Sequence, residues 1–250
     1  MLIHRLAALL PAALLIAAGH ALAHRADPAA APRQPDGTSP APSTPALPAA
    51  SASETLDLSD LARTARANAN APALALAIAT PDGQISVASD GVRIMGQEAR
   101  IADDDLWHLG SITKSMTGTL AARLVEQGRI TWEDTIAQRL GEAIPDMQEQ
   151  YRSVTLAQLL AHRSGMPANI PGEHFRDFRD EPDDPIADRL AWCRIALAMD
   201  PVGPPGETFQ YSNNGYIIAG AMLEAAAGES WESLMRAEVF GPLGLASAGF

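Results

Sequence analysis

The sequence has almost no lysine. Among its 18 lysine and arginine residues, Lys114 is the only lysine. An arginine side chain stays protonated, with a pKa above about 12, whereas a desolvated lysine crowded by other donors can become neutral and act as a base. The scarcity therefore marks Lys114 as a candidate for a task that arginine cannot perform.

Cysteine and aromatic residues are also scarce. The single cysteine, Cys193, excludes an internal disulfide and a cysteine-based metal site, and we interpret it as a small buried apolar residue of a helix. His108, His162 and His174 match no common zinc spacing, so the sequence predicts no metal and no organic cofactor. A formal charge of -12 argues against a nucleic acid or an anionic membrane surface as a partner.

The N-terminal segment has the pattern of a secretory signal peptide. Residues 1–23 combine a positive start at His4 and Arg5, an apolar run, and small residues around Ala23 that are typical of a cleavage site. We expect cleavage near Ala23 and a secreted or periplasmic protein without stable membrane insertion; an uncleaved anchor is the alternative. Residues 24–53 are rich in Pro and Ala and predict a disordered linker, so the folded domain is expected over 54–250.

The first half of this domain alternates helical and extended patterns. Apolar residues at helical spacing predict a helix over 56–69, and two apolar runs around a Pro-Asp-Gly turn predict a β-hairpin over 73–89. A further extended piece is predicted over 100–109. It leads into a helix that begins at Ser111 and ends at a glycine cap, Gly128.

The second half predicts mainly helices. Thr131 with Asp134, and Thr155 with Gln158, resemble capping boxes at helix starts, and Asn214 is interpreted as another helix cap. The order of elements indicates an α/β fold of the α+β type, with an antiparallel sheet early in the chain and a helical region after it. The remaining predictions are an exposed polar region over 168–185 and helices over 186–198, from the Tyr211 segment to Gly228, and over 230–240.

Two short motifs carry the candidate chemistry. Ser111 and Lys114 lie three positions apart, a spacing that places both side chains on one face of a helix. A serine beside a neutral lysine is a known pair of nucleophile and base. Tyr211 and Asn213 are separated by one residue, so in an extended loop they point the same way. They would supply a proton carrier and a group that binds both the lysine and a substrate amide.

Each motif also has a simpler structural interpretation. Ser111 could cap a helix while Lys114 stays solvated, and Tyr211 could be a core residue while Asn213 caps the following helix. The presence of both motifs in one chain favours the chemical interpretation.

Four segments together resemble a known family. They are Ser111-Ile112-Thr113-Lys114, residues 154–166 with their His-Arg-Ser-Gly ending, residues 211–216, and Gly241-Pro242-Leu243-Gly244-Leu245. In order and spacing they resemble the beta-lactamase-related serine hydrolases, the superfamily of class C beta-lactamases, DD-peptidases and esterases.

The resemblance implies a function and a role for each motif residue. Ser111 would be the acylated nucleophile, Lys114 its base partner, Tyr211 the group that passes protons, and Asn213 a substrate-binding residue. The implied protein is a secreted serine hydrolase with a small-molecule or peptide substrate. Its target would be an amide or ester in a beta-lactam, a D-amino-acid peptide or a carboxylic ester.

One element of the family pattern is missing. The family carries a Lys or His, followed by a small residue and Gly, on a sheet strand, and no Lys or His follows His174 in this sequence. We therefore expect a domain that is truncated at its C-terminus and holds only the N-terminal strands of the sheet. The alternative function is a catalytically inactive relative that acts as a binding or interaction module. The oligomeric state is left open.

Overall fold

A computed structural model of the chain describes residues 56–178 and 182–250. The predicted signal peptide (1–23), the predicted linker (24–53) and the first two residues of the predicted domain lie outside this range. Among the helices of the described residues, none is both long enough and apolar enough to cross a membrane.

The described chain begins with one helix packed on a β-hairpin. Helix α1 (Ser59–Ala69) is followed by strands β1 (Ala73–Ala79) and β2 (Ile85–Gly91), which pair antiparallel along their whole length. Alternate residues of each strand face α1, and Leu58 and Ala88 are buried in the same small apolar cluster between helix and sheet. The predicted hairpin is confirmed, and so is the first helix, which begins at Ser59.

The extended piece predicted over 100–109 is wrong. Only Arg100 forms a β-bridge there, and the residues after it turn. The Asp105 carboxylate accepts hydrogen bonds from the Arg93 guanidinium (2.7 Å) and from the backbone N–H of Ala102 (3.0 Å). Side-chain bonds of this kind offer the backbone a local alternative to a strand ladder.

The rest of the described chain is a helical body. Its helices are α2 (Thr113–Glu126), α3 (Ile136–Leu140), α4 (Glu149–Arg152), α5 (Leu156–Leu160), α6 (Pro185–Ala198), α7 (Asn213–Ala227) and α8 (Trp231–Met235), which continues as a π-helical turn at Arg236–Phe240. Helix α7 is central: it packs against several of the others and is buried over most of its length, because its own side chains are small or apolar on nearly every face. Helices α6, α7 and α8 confirm the helices predicted over 186–198, up to Gly228 and over 230–240.

The helix caps confirm some predictions and correct others. The capping box at Thr155 begins α5 as predicted, and Gly128 ends α2 with a φ of 69°. The box predicted at Thr131 is wrong, because the Thr131 hydroxyl donates to the Asp134 carboxylate within a turn. The capping box lies four residues later, at Thr135, where α3 begins.

For two buried residues of the helical body, one prediction is confirmed and one is wrong. Cys193 is fully buried in α6, as predicted. Asn214, predicted as a helix cap, is instead buried, and its side chain accepts from the Trp192 indole N–H (3.0 Å) and donates to the Pro167 carbonyl (3.1 Å). The cap of α7 is Ser212, whose hydroxyl accepts from a backbone N–H in the first turn.

The region predicted as exposed, residues 168–185, is exposed only in part. Ile170 is buried in the helical core, and Gly172–Asp177 form a 3-10 helix. Residues 179–181 of this region lie outside the described residues. With a two-stranded antiparallel sheet followed by a helical body, the described residues confirm the predicted α/β fold of the α+β type.

Candidate active site

Ser111 lies in a short 3-10 turn immediately before α2. The sequence predicts that Ser111 is the first residue of the α-helix, whereas Gly110–Ile112 form a 3-10 helix and α2 begins at Thr113. Ser111 is exposed, at the end of α2 where the helix dipole carries partial positive charge. The nucleophile candidate is therefore accessible and sits where a developing oxyanion would be stabilised.

The Ser111 hydroxyl is the meeting point of the two motifs. Lys114 Nζ donates to Ser111 Oγ at 3.2 Å, and the Tyr211 hydroxyl donates to the same oxygen at 2.6 Å. The two motifs are 100 residues apart in sequence, measured from Ser111 to Tyr211. The structure thus brings together an oxygen nucleophile, an amine and a phenol.

Asn213 links the lysine to a further residue. Its Oδ1 accepts from Lys114 Nζ at 2.7 Å, and its Nδ2 donates to Asn169 Oδ1 at 2.7 Å. Because an amide nitrogen carries two N–H donors, the bond to Asn169 leaves capacity for a second acceptor such as a substrate carbonyl. Sequence reasoning missed Asn169; its position four residues after Gly165, in the same loop as the family motif, was the available signal.

The amine also sets the electrostatics of the phenol. Lys114 Nζ lies 4.8 Å from the centre of the Tyr211 ring and 5.5 Å from that of Tyr216. The hydrogen bond from Lys114 lowers the pKa of the Tyr211 phenol below its ordinary value, and the hydrogen bond with Ser111 adds to this effect. A phenol with a lowered pKa forms its phenolate more readily, and the phenolate can accept a proton from a neighbouring hydroxyl.

A family model matches the part of the chain that carries this site. Residues 58–250 match the model of the family described as Beta-lactamase. The chain belongs to the beta-lactamase family. A curated relative, penicillin-binding protein 4 of Amycolatopsis lactamdurans, is 32% identical over 184 residues, which are 72% of this chain and 45% of the relative. The chain thus spans less than half the length of this relative.

Two solved structures resemble the described fold. The structure of SurE with D-Leu is 26% identical, with a TM-score of 0.58, over 75% of this chain and 40% of that one. The octameric penicillin-binding protein homologue from Pyrococcus abyssi is 25% identical, with a TM-score of 0.60, over 75% of this chain and 42% of that one. The predicted membership in the beta-lactamase-related superfamily is confirmed.

In this beta-lactamase-family chain, the loop after α5 holds the segment that carries Tyr211 in place by hydrogen bonds. The backbone carbonyls of this loop accept hydrogen bonds from backbone N–H groups of residues 202–213. The bonds are Val202 N to Gly165 O (2.9 Å), Gly206 N to Arg163 O (2.7 Å), Gln210 N to His162 O (2.7 Å) and Asn213 N to Ala168 O (2.8 Å). The Arg163 guanidinium donates three more bonds, two to the Gly206 carbonyl and one to the Glu207 carbonyl. Residues 162–168, most of which belong to the motif segment 154–166, therefore position the segment that carries Tyr211 and Asn213.

Gly165 makes this close approach possible. Its φ is 72°, and a Cβ built at this position would lie 2.1 Å from the Gly203 carbonyl oxygen. Only glycine combines the left-handed backbone with the missing side chain that the contact requires.

His162 follows the end of α5, where its backbone N–H donates to Leu159 O at 3.1 Å. Its imidazole lies against the Tyr211 ring, with 4.5 Å between the ring centres. No signal in the sequence indicated this contact.

His174, another of the histidines that match no common zinc spacing, has a partner of its own. His174 pairs with Asp177 in the 3-10 helix at Gly172–Asp177, at 3.3 Å. Across the described part of the chain, no three His, Cys, Asp or Glu side chains converge in a way that could hold a metal ion.

Proposed function

We propose that this chain carries the acyl-enzyme centre of a serine hydrolase. The observation that supports the proposal is the position of Ser111 Oγ, which accepts from both Lys114 Nζ (3.2 Å) and the Tyr211 hydroxyl (2.6 Å). A nucleophile within hydrogen-bond reach of two groups that can hold its proton is the arrangement required for covalent catalysis.

Acylation would follow from these contacts. In the ionised state of Tyr211, the phenolate oxygen takes the Ser111 proton while Ser111 Oγ attacks the substrate carbonyl carbon. The tetrahedral intermediate then collapses, the bond from carbon to the leaving nitrogen or oxygen breaks, and the phenol returns the proton to the leaving group. Lys114 stabilises the phenolate and holds the Ser111 oxygen, and the amide of Asn213 orients the lysine at 2.7 Å.

Deacylation would use the same groups in reverse. The regenerated phenolate removes a proton from a water molecule, and the oxygen of that water attacks the ester carbon on Ser111. Collapse of the second intermediate releases the carboxylic acid, and the phenol of Tyr211 returns its proton to Ser111 Oγ. General acid–base catalysis of this type contributes about 10²- to 10⁴-fold to a rate.

The proposed substrates are amides or esters, and three classes fit: beta-lactams, D-amino-acid peptides and carboxylic esters. Two similarities bear on the choice. One curated relative is named a penicillin-binding protein, and the similar SurE structure is titled as holding D-Leu. These names make a fluorescent penicillin and a D-amino-acid peptide the first two probes to test on the full-length protein.

Labelling of the full-length protein with a fluorophosphonate and with a fluorescent penicillin tests the proposal. We expect covalent labelling that is lost in Ser111→Ala and kept in Ser115→Ala. Ser115 is a suitable matched control, because it is an exposed serine one helical turn away whose hydroxyl donates to the Ile112 carbonyl at 2.7 Å. Labelling that persists in Ser111→Ala would contradict the proposal. Binding of a probe without covalent labelling would favour the inactive binding module.

We also propose that the protein is exported to the periplasm or the medium. The support is the charged start, apolar run and small residues of residues 1–23. Sequencing the N-terminus of the mature protein tests this, with a new N-terminus near His24 expected. A mature protein that retains Met1 would contradict it.

A further inference from the structure

The backbone of His162 adopts an uncommon conformation. Its φ is 56°, and among the described residues only one other non-glycine residue, Asn70, has a positive φ. A left-handed backbone at a non-glycine residue is strained and persists where surrounding contacts determine it. For His162 those contacts lead directly to the Tyr211 segment.

The imidazole of His162 makes one directed polar contact. Its Nδ1 accepts a hydrogen bond from the backbone N–H of Ser212 at 3.1 Å. Because an N–H donor faces Nδ1, this nitrogen must be unprotonated, which fixes the neutral tautomer with its proton on Nε2. The bond holds the backbone between Tyr211 and Asn213, the two residues that reach the Ser-Lys pair.

The imidazole ring of His162 also packs against three aromatic rings. The ring centre of His162 lies 4.5 Å from that of Tyr211, at an interplanar angle of 32°, and 5.1 Å from that of Tyr216. Phe209 approaches edge-on at 5.5 Å. Ring contacts at these separations are favourable beyond the apolar area they bury. Tyr211 is thus fixed through both its backbone and its ring.

We propose that His162 is a positioning residue that holds the Tyr211 hydroxyl against Ser111 Oγ. The inference rests on the proposed function and deepens it. His162 does not itself reach the reacting atoms in the described contacts; it acts through Tyr211. A displacement of about 1 Å in a reacting group can reduce a rate by about 10²-fold, so loss of this support predicts a slow enzyme with an intact nucleophile.

His162 can accept the hydrogen bond from Ser212 only while its imidazole is neutral. The titratable groups that face it are Lys114 from α2, Tyr211 from the loop before α7, and Tyr216 from the first turn of α7. Burial, and then the charge of Lys114, lower the pKa of His162 below its ordinary value of 6.5. The ring is therefore neutral at pH 7. Protonation at lower pH replaces the acceptor with a donor and breaks the bond to Ser212.

Two variants separate the polar contact from the ring contact. His162→Asn keeps an acceptor, Oδ1, at the position of Nδ1, tolerates the left-handed backbone, and removes both the ring and the titration. His162→Phe keeps a ring and removes the acceptor. The readout is the second-order rate constant for fluorophosphonate labelling of the full-length protein between pH 5 and 8, with the urea midpoint measured in parallel.

The proposal predicts different profiles for the three proteins. In the wild type, protonation of His162 adds a further fall to the logarithm of the rate constant as the pH decreases, and this fall lies at a lower pH than an ordinary histidine would give, because the pKa is lowered. His162→Asn lacks this added fall. His162→Phe is slower by about 10²-fold at pH 7. A wild-type rate in His162→Phe, or an unchanged acid limb in His162→Asn, would overturn the proposal. Loss of labelling in Ser111→Ala, measured alongside, shows that the proposed function itself holds when the His162 inference fails.

Discussion

Replacing Tyr211 by Phe removes a single oxygen atom, the one that lies 2.6 Å from Ser111 Oγ. The ring remains, so its contact with His162 at 4.5 Å and its position 4.8 Å from Lys114 Nζ are kept. Tyr211 is 39% exposed, and at such a site each hydrogen bond that the hydroxyl loses, to Ser111 and to Lys114, changes the free energy of unfolding by only about 1 kcal/mol. The variant therefore tests the proton carrier without disturbing the fold.

We expect Tyr211→Phe to label with a fluorophosphonate about 10²- to 10⁴-fold more slowly than the wild type, the usual contribution of a general base. Fluoride leaves without a proton, so this rate reports the removal of the Ser111 proton alone. Tyr216→Phe is the matched control, because the Tyr216 hydroxyl donates to the Leu160 carbonyl at 2.9 Å and not to Ser111. A folded Tyr211→Phe protein that labels within about threefold of the wild type would refute the reasoning and leave Lys114 as the base.

The pH dependence gives the same prediction a second measure. Lys114 and Ser111 lower the pKa of the Tyr211 phenol from 10.0, so the ionised form accumulates at lower pH than in a free phenol. The labelling rate of the wild type should rise with pH and reach its plateau below pH 10. Tyr211→Phe should lack this rise. A wild-type profile in the variant would show that another group titrates.

Two further predictions concern stability, each measured by urea unfolding of the full-length protein. Gly165→Ala should destabilise by several kcal/mol or prevent folding, because the new Cβ would lie 2.1 Å from the Gly203 carbonyl oxygen; a wild-type midpoint would contradict the template role of this loop. Arg189→Ala should lower the free energy of unfolding by about 3 to 5 kcal/mol, because Arg189 is the cation that pairs with the buried Glu224 (2.8 Å) and with Glu232 (2.5 Å). Burial raises the pKa of Glu224, so the carboxyl binds a proton at pH 4 and no longer needs a cation. The stability lost in Arg189→Ala should therefore be larger at pH 7 than at pH 4, and an equal loss at both pH values would refute the role of this ion pair.

Sequence patterns predicted the contacts and elements that form between residues close in sequence. Ser111 and Lys114 meet because their spacing places them on one face, and a single turn of 3-10 helix at Ser111 does not change this. The hairpin followed from alternation and a turn signal. The capping box at Thr131 shows the limit of such patterns. Thr131 is followed three residues later by Asp134, which is shorter than the Glu or Gln of a capping box, whereas Thr135 is followed by Gln138 and forms the box.

Contacts between distant segments were outside the reach of the sequence. The approach of Tyr211 to Ser111 was implied by family resemblance and not by any local rule. His162 gave no signal and Asn169 only its position in the loop of the family motif, because their roles depend on hydrogen bonds between two loops and on ring packing. Those loops meet through backbone groups, and backbone contacts leave no side-chain pattern to read.

The site of acylation tests the central claim most directly. Trypsin cleaves after Arg100 and Lys114, so Ser111 falls in the peptide 101–114 as its only serine, and Ser115 begins the next peptide. Mass spectrometry of the fluorophosphonate-labelled, full-length protein should place the adduct on peptide 101–114, at Ser111. An adduct on any other peptide, or no adduct on a protein that unfolds cooperatively, would contradict the account.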